Sequence, residues 1–139
     1  VTGVQTCALP ILMRVTGLDH VVVRCRDVEA SLAWYCGELG LAALDVEAWR
    51  SGVRPFPSVR IDAGTIIDLL PARDPFAVPT GGGNVDHIAL VVEGIDPDEL
   101  VARFPGARRA DGLSGARGTG TGVYVTDPDG NTLELRVYT

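Results

Sequence analysis

Leu18-Asp19-His20-Val21-Val22-Val23 returns later in the chain as Val85-Asp86-His87-Ile88-Ala89-Leu90, and Ile67-Asp68-Leu69 returns as Leu133-Glu134-Leu135. The copies are 67 positions apart at the histidines and 66 at the acids. A repeat of this length marks two copies of one supersecondary unit. Each copy supplies one imidazole and one carboxylate at matching places, and His20 and His87 are the only histidines in the chain. Imidazole nitrogen and carboxylate oxygen together suit Zn, Fe, Mn, Co or Ni. Any one of these residues alone reads most simply as an ordinary strand residue or a solvated acid. The matched pairs point instead to a metal site between the copies, held by His20, His87 and Glu134. Asp68 is the fourth candidate, one methylene shorter than Glu134.

Working outward, Leu18 to Cys25 is β-branched, and strand alternation puts His20, Val22 and Arg24 on one face. Asp27 caps a helix in which Val28, Leu32, Tyr35, Cys36 and Leu39 recur at helical spacing and Gly40 supplies the stop. Three strands are expected next, near Ala42 to Arg50, Ser58 to Ala63 and Thr65 to Leu70, giving the order β-α-β-β-β. Residues 73–84, rich in Pro and Gly, read as a linker. In the second copy Val85 to Val92 is a strand. Asp96-Pro97-Asp98-Glu99 carries an Asp cap, Pro at the first helical position and an acid in the first turn. A Gly-rich stretch from Gly112 to Gly122 reads as a mobile loop before a strand at Val123 to Thr126. Asp127-Pro128-Asp129-Gly130 is a turn into a last strand, where Leu133, Leu135 and Val137 oppose Thr132, Glu134, Arg136 and Tyr138.

The 139 residues fit one domain, and 46% hydrophobic content is ample for a core. No apolar run approaches the roughly 20 residues that span a bilayer. A net charge of -6 without a basic cluster excludes a nucleic-acid backbone as partner and favours small molecules. Residues 1–12 lack the patterning of the rest and read like a translated sequencing adapter, so the native fold is expected in 13–139, with modules at about 16–72 and 85–138. Without Cys7, two cysteines remain with no CxxC spacing, as expected of reduced thiols in a cytoplasm.

These motifs, with Asp27-Val28-Glu29-Ala30-Ser31-Leu32 running into Trp34-Tyr35 and with Tyr124-Val125-Thr126 leading into the Asp-Pro-Asp-Gly turn, resemble the vicinal oxygen chelate superfamily over Leu18 to Tyr138. That superfamily includes glyoxalases, bleomycin resistance proteins and extradiol dioxygenases. The resemblance implies an α+β fold of two βαβββ modules whose eight strands form a curved sheet around a cleft. It also implies one divalent ion on His20, His87 and Glu134 with Asp68 at the fourth position, and a homodimer, with the cleft inside one chain or shared between two.

Among the activities it implies, extradiol dioxygenases use a further histidine that this chain lacks. The fosfomycin-resistance branch has Thr where Val22 stands, and a Lys in a loop that is Lys-free here between Asp111 and Gly122. Bleomycin-binding proteins usually lack the ligand set. The expectation is therefore a glyoxalase-like lyase or isomerase acting on adjacent oxygen atoms, with Glu134 as base and Arg24, Arg60, Tyr124 and Arg136 as candidates to hold substrate. A metal-free drug-sequestering protein and an Fe(II)-dependent dioxygenase are the alternatives.

Overall fold

A computed structural model describes residues 3, 17–18, 20–73, 85, 87–115 and 117–138; Asp19, Asp86 and most of the expected leader and linker lie outside these residues. The first module runs β1 (His20–Cys25), α1 (Val28–Gly37), β2 (Ala42–Leu44), α2 (Val46–Arg50), β3 (Ser58–Asp62) and β4 (Thr65–Pro71). The second runs β5 (Ile88–Val91), α3 (Pro97–Arg103), β6 (Arg108–Gly115), β7 (Gly118–Thr126) and β8 (Thr132–Val137). The eight strands form two four-stranded mixed sheets, ordered β1-β4-β3-β2 and β5-β8-β7-β6. In each sheet the module's first strand lies at the edge, parallel to its last, while the other pairs are antiparallel.

The helices begin where the sequence says they should. Asp27 accepts a hydrogen bond from the Ala30 amide at 3.1 Å. At α3, Asp96 accepts from the Asp98 amide while the Glu99 side chain accepts from the Asp96 amide, which satisfies orphan donors reciprocally. Val28, Ser31, Leu32 and Tyr35 bury one face of α1 against the first sheet. The core is formed by the strand residues of opposite parity to the polar ones, with Val59, Leu69, Val123 and Leu133 fully buried.

Two expectations differ from the structure. The run from Ala42 to Arg50 is strand only to Leu44, because Asp45 adopts a left-handed backbone (φ 59°) that ends extended pairing. The helical turn that follows is tied to α1 by Arg50, which pairs with both Glu29 and Glu47. The Gly-rich stretch is a hairpin, not a loop: β6 and β7 pair in antiparallel register through it. Three of its glycines, Gly115, Gly120 and Gly122, serve close approach: a Cβ on Gly122 would stand 2.4 Å from Glu134 Oε1 and one on Gly115 2.5 Å from the Tyr138 hydroxyl, whereas Gly112 and Gly118 take left-handed backbone angles in open space.

The modules are joined through α1. Tyr35 donates to Asp127 Oδ2 at 2.9 Å, while Ser31 and the Arg26 amide donate to Asp129, so the first module's helix holds the second module's Asp-Pro-Asp-Gly turn. That turn is closed from within by Asp127 Oδ1, which accepts from the amides of Asp129 and Asn131, and by Gly130 at φ 84°. Trp34 lies against Phe104 across the same junction, with ring centroids 6.2 Å apart.

Candidate functional site

The repeated residues occupy matching places in the two sheets. Asp68 lies opposite Val22, two residues after His20, and Glu134 lies opposite Ala89, two residues after His87. Since cross-strand partners share a face, each histidine and its module's carboxylate lie on the same side of their sheet. That side faces away from the core in both modules: Leu133 and Leu135 bury one face of β8, and Glu134 and Arg136 take the other. Extended across the strands, the carboxylate rows read Leu44-Ser58-Asp68-Val22 in the first module and Arg108-Tyr124-Glu134-Ala89 in the second.

The second half of the site is the more elaborate. Glu134, only 3% exposed, places Oε2 3.1 Å from His87 Nε2 and Oε1 2.7 Å from Arg136 Nη1. Arg136 is itself buried and also donates to the Tyr138 hydroxyl and the Leu113 carbonyl. Burial acts to lower its pKa, but the hydrogen bonds to Tyr138 and Glu134 outweigh that and raise it, so the guanidinium is a fixed positive charge beside Glu134. The Tyr124 and His87 rings stand perpendicular, with centroids 5.5 Å apart, and Arg108 lies over the Tyr124 ring at 4.9 Å. In the first half, Asp68 is 7% exposed and accepts a hydrogen bond from Ser58, while His20 is exposed at the start of β1.

The four candidate ligands thus form two pairs, one per sheet. Strands β1 and β5 line the same cavities: Val22, Arg24 and His87 share one of about 210 Å³, and Leu18, Val21 and Ile88 share another of about 620 Å³. The donor set, two imidazoles and two carboxylates, has the chemistry of a divalent-ion site. Among the described residues, however, no three histidine, cysteine or acidic side chains come close enough together to hold an ion.

The arginines named from sequence divide by role. Arg24 is exposed on the site face and lines the cavity with His87. Arg60 turns its guanidinium to the carbonyls of Asp62 and Ala63 in the β3–β4 turn, and Arg136 holds Glu134. Arg108 is absent from the sequence candidates, because the residues between α3 and the Gly-rich stretch are assigned to no element from sequence and so have no face. The repeat itself carried the signal: a β-α-β-β-β second copy needs a strand between α3 and β7.

Two paired βαβββ modules with buried carboxylates on the outward faces define a glyoxalase-type fold. The chain belongs to the Glyoxalase/Bleomycin resistance protein/Dioxygenase superfamily, whose family model matches residues 17–135. It is 30% identical over 131 residues to a probable lactoylglutathione lyase of Synechocystis sp., covering 85% of this chain and 92% of that protein. Among solved structures it is similar to a glyoxalase/dioxygenase from Nostoc punctiforme, with 26% identity, a TM-score of 0.63, and 96% and 97% of the two chains covered. An integron cassette protein of V. cholerae shares the fold at 23% identity and a TM-score of 0.65, covering 93% of this chain and all of that one. Among the described residues no helix is long and apolar enough to cross a membrane.

Proposed function

We propose that the protein is a divalent-metal-dependent lyase or isomerase of the glyoxalase type, acting on a small molecule with adjacent oxygen atoms. The observation that carries this reading is the equivalent register of the two His-carboxylate pairs, on sheets whose edge strands β1 and β5 line the same cavities. The name of the Synechocystis relative supports the same class of chemistry. His20, His87 and Glu134, with Asp68 fourth, would hold Ni, Zn, Co, Mn or Fe, and the ion would polarise a substrate carbonyl so that the neighbouring C–H becomes acidic. The remaining work falls to side chains. Arg136 fixes one oxygen of Glu134 and leaves Oε2 directed at His87, so Glu134 meets the site through a single oxygen and is our candidate proton acceptor, with Asp68 second. Arg24 and the Tyr124 ring flank His87 and orient the substrate. The assembly we propose is a homodimer, because Leu18, Val22, Val85 and Val91, on or beside the edge strands β1 and β5, are exposed large apolar residues.

A second reading, a metal-free binding protein, is favoured by one observation: both oxygens of Glu134 already have cationic or imidazole partners within the chain. Metal analysis of protein purified without a His-tag separates the two. About one divalent ion per chain, lost in His87→Ala, supports the enzyme. Metal-free protein that gains no thermal stability from any of the five ions, yet binds a small molecule after chelator treatment, supports the sequestering protein. Oxygen consumption with a catechol after anaerobic Fe(II) loading would instead mark a dioxygenase.

A further inference from the structure

The two halves of the site match in their His-carboxylate pairs and differ in what lies beyond them. Next to Asp68 the row continues with Ser58 and Leu44; next to Glu134 it continues with Tyr124 and Arg108. A symmetric site has no reason to distinguish the ends of a ligand, whereas in this one an arginine lying over an aromatic ring continues the carboxylate row of the second module only. Arg108 is exposed, lies over the Tyr124 ring at 4.9 Å, and makes no ion pair with a described residue. Its neighbour Arg109, on the opposite face, is engaged by Asp98 and Asp111, and Arg136 by Glu134. An arginine lying over an aromatic ring is held there by cation–π attraction and keeps its N–H donors for a carboxylate or phosphate oxygen pair.

We propose that Arg108, stacked on Tyr124, is the specificity-determining residue that receives an anionic group of the substrate, so that the ligand lies across the second module with its charged end over Tyr124 and its adjacent oxygens at His87 and Glu134. Strand spacing sets the fit. Arg108 is two strands from Glu134, about 10 Å between backbones, but its guanidinium leans back over Tyr124, one strand away, so the ligand class is a short carboxylate with a few carbons between its charged group and its vicinal oxygens. Substrates lacking the charge bind less well. The second half of this assignment rests on the metal-dependent reading above; the anion site itself does not.

The test has two arms. In the first, chelator-treated protein is titrated with succinate while the arginine Nε–H and tyrosine ring signals are followed by NMR. Arg108 and Tyr124 are expected to shift together, with the affinity falling at least about tenfold in Arg108→Gln, falling also in 0.5 M salt, and partly retained in Arg108→Lys. Succinate binding that is unchanged in Arg108→Gln, or that leaves Arg108 and Tyr124 unshifted, overturns the proposal. In the second arm, metal-loaded protein is titrated with the hydroxamate of succinic acid and with butyrohydroxamate, which lacks the carboxylate. A preference for the charged compound of about tenfold, abolished in Arg108→Gln while butyrohydroxamate binding is unchanged, is the expected result; a preference that survives the substitution overturns the proposal. If butyrohydroxamate fails to bind metal-loaded protein, the metal reading falls, and the succinate arm still decides the role of Arg108.

Discussion

Substituting alanine at Gly122 disturbs the site without removing any of its chemistry. The added Cβ would stand 2.4 Å from Glu134 Oε1 and 3.0 Å from its Cδ and Cγ, so the carboxylate has to move. The end of a glutamate ordinarily swings away at little cost. Here Oε1 is held by Arg136 at 2.7 Å and Oε2 by His87 at 3.1 Å, and the side chain is buried, so movement breaks contacts in a place with little room. Overpacking of this kind costs about 1–3 kcal/mol, and alanine's smaller backbone entropy loss in a strand returns roughly 0.5–1 kcal/mol. The net loss is therefore about 0–2.5 kcal/mol, near 1 kcal/mol at mid-range, which for a domain of this size lowers Tm by roughly 2–6 °C. Thermal and urea unfolding followed by circular dichroism measure it, and metal titration of the same variant should show weaker binding because Glu134 is displaced. A Gly122→Ala protein with the wild-type unfolding midpoint and wild-type metal affinity would refute the placement of Glu134 against Gly122.

Other outcomes follow from the same contacts. Gly37 closes α1, and a Cβ there meets nothing within 4 Å, so Gly37→Ala is expected to stabilise by about 0.5–1 kcal/mol, read as a Tm rise of a few degrees; a fall would mean that the helix end is packed differently. Burial pushes the Cys25 thiol up to about 11 from 9.0, and burial with the nearby Asp127 charge raises the Tyr35 phenol. Both groups are neutral when folded and ionise more readily when unfolded, so their contribution is fully present below pH 9 and is lost as pH rises through 9 to 11 and beyond. For Cys25 the loss is about 3 kcal/mol. Urea midpoints measured from pH 8 to 11 should fall accordingly, with a shallower fall in Cys25→Ala; equal slopes would contradict the assignment.

How much of this was readable in advance differs from residue to residue. His20, His87, Asp68 and Glu134 could be paired because a strand's two-residue period fixes which side chains share a face once the repeat is aligned, and the observed register keeps each pair on one face. The caps at Asp27 and Asp96 were legible because they act within four residues of sequence. Interactions between distant residues were not. The helical turn at Val46–Arg50 depends on Glu29, 21 positions away from Arg50, and on a left-handed Asp45. The strands through Gly112–Gly122 looked like a loop because glycine is read by its backbone freedom, whereas Gly115 and Gly122 are there for the room they leave to Arg136, Tyr138 and Glu134. The role of Arg136 was hidden for the same reason: its place on the polar face was predictable, but its engagement with Glu134, Tyr138 and Leu113 depends on how β6 folds over it.

If the two His-carboxylate pairs together bind one divalent ion, elemental analysis of tag-free protein, with His87→Ala and His20→Ala prepared alongside, will find about one equivalent of a first-row divalent metal per chain in the wild type and none in either variant. Metal content near zero, with no thermal stabilisation by Ni, Co, Mn, Zn or Fe, would contradict that reading, as would full metal content retained without either histidine.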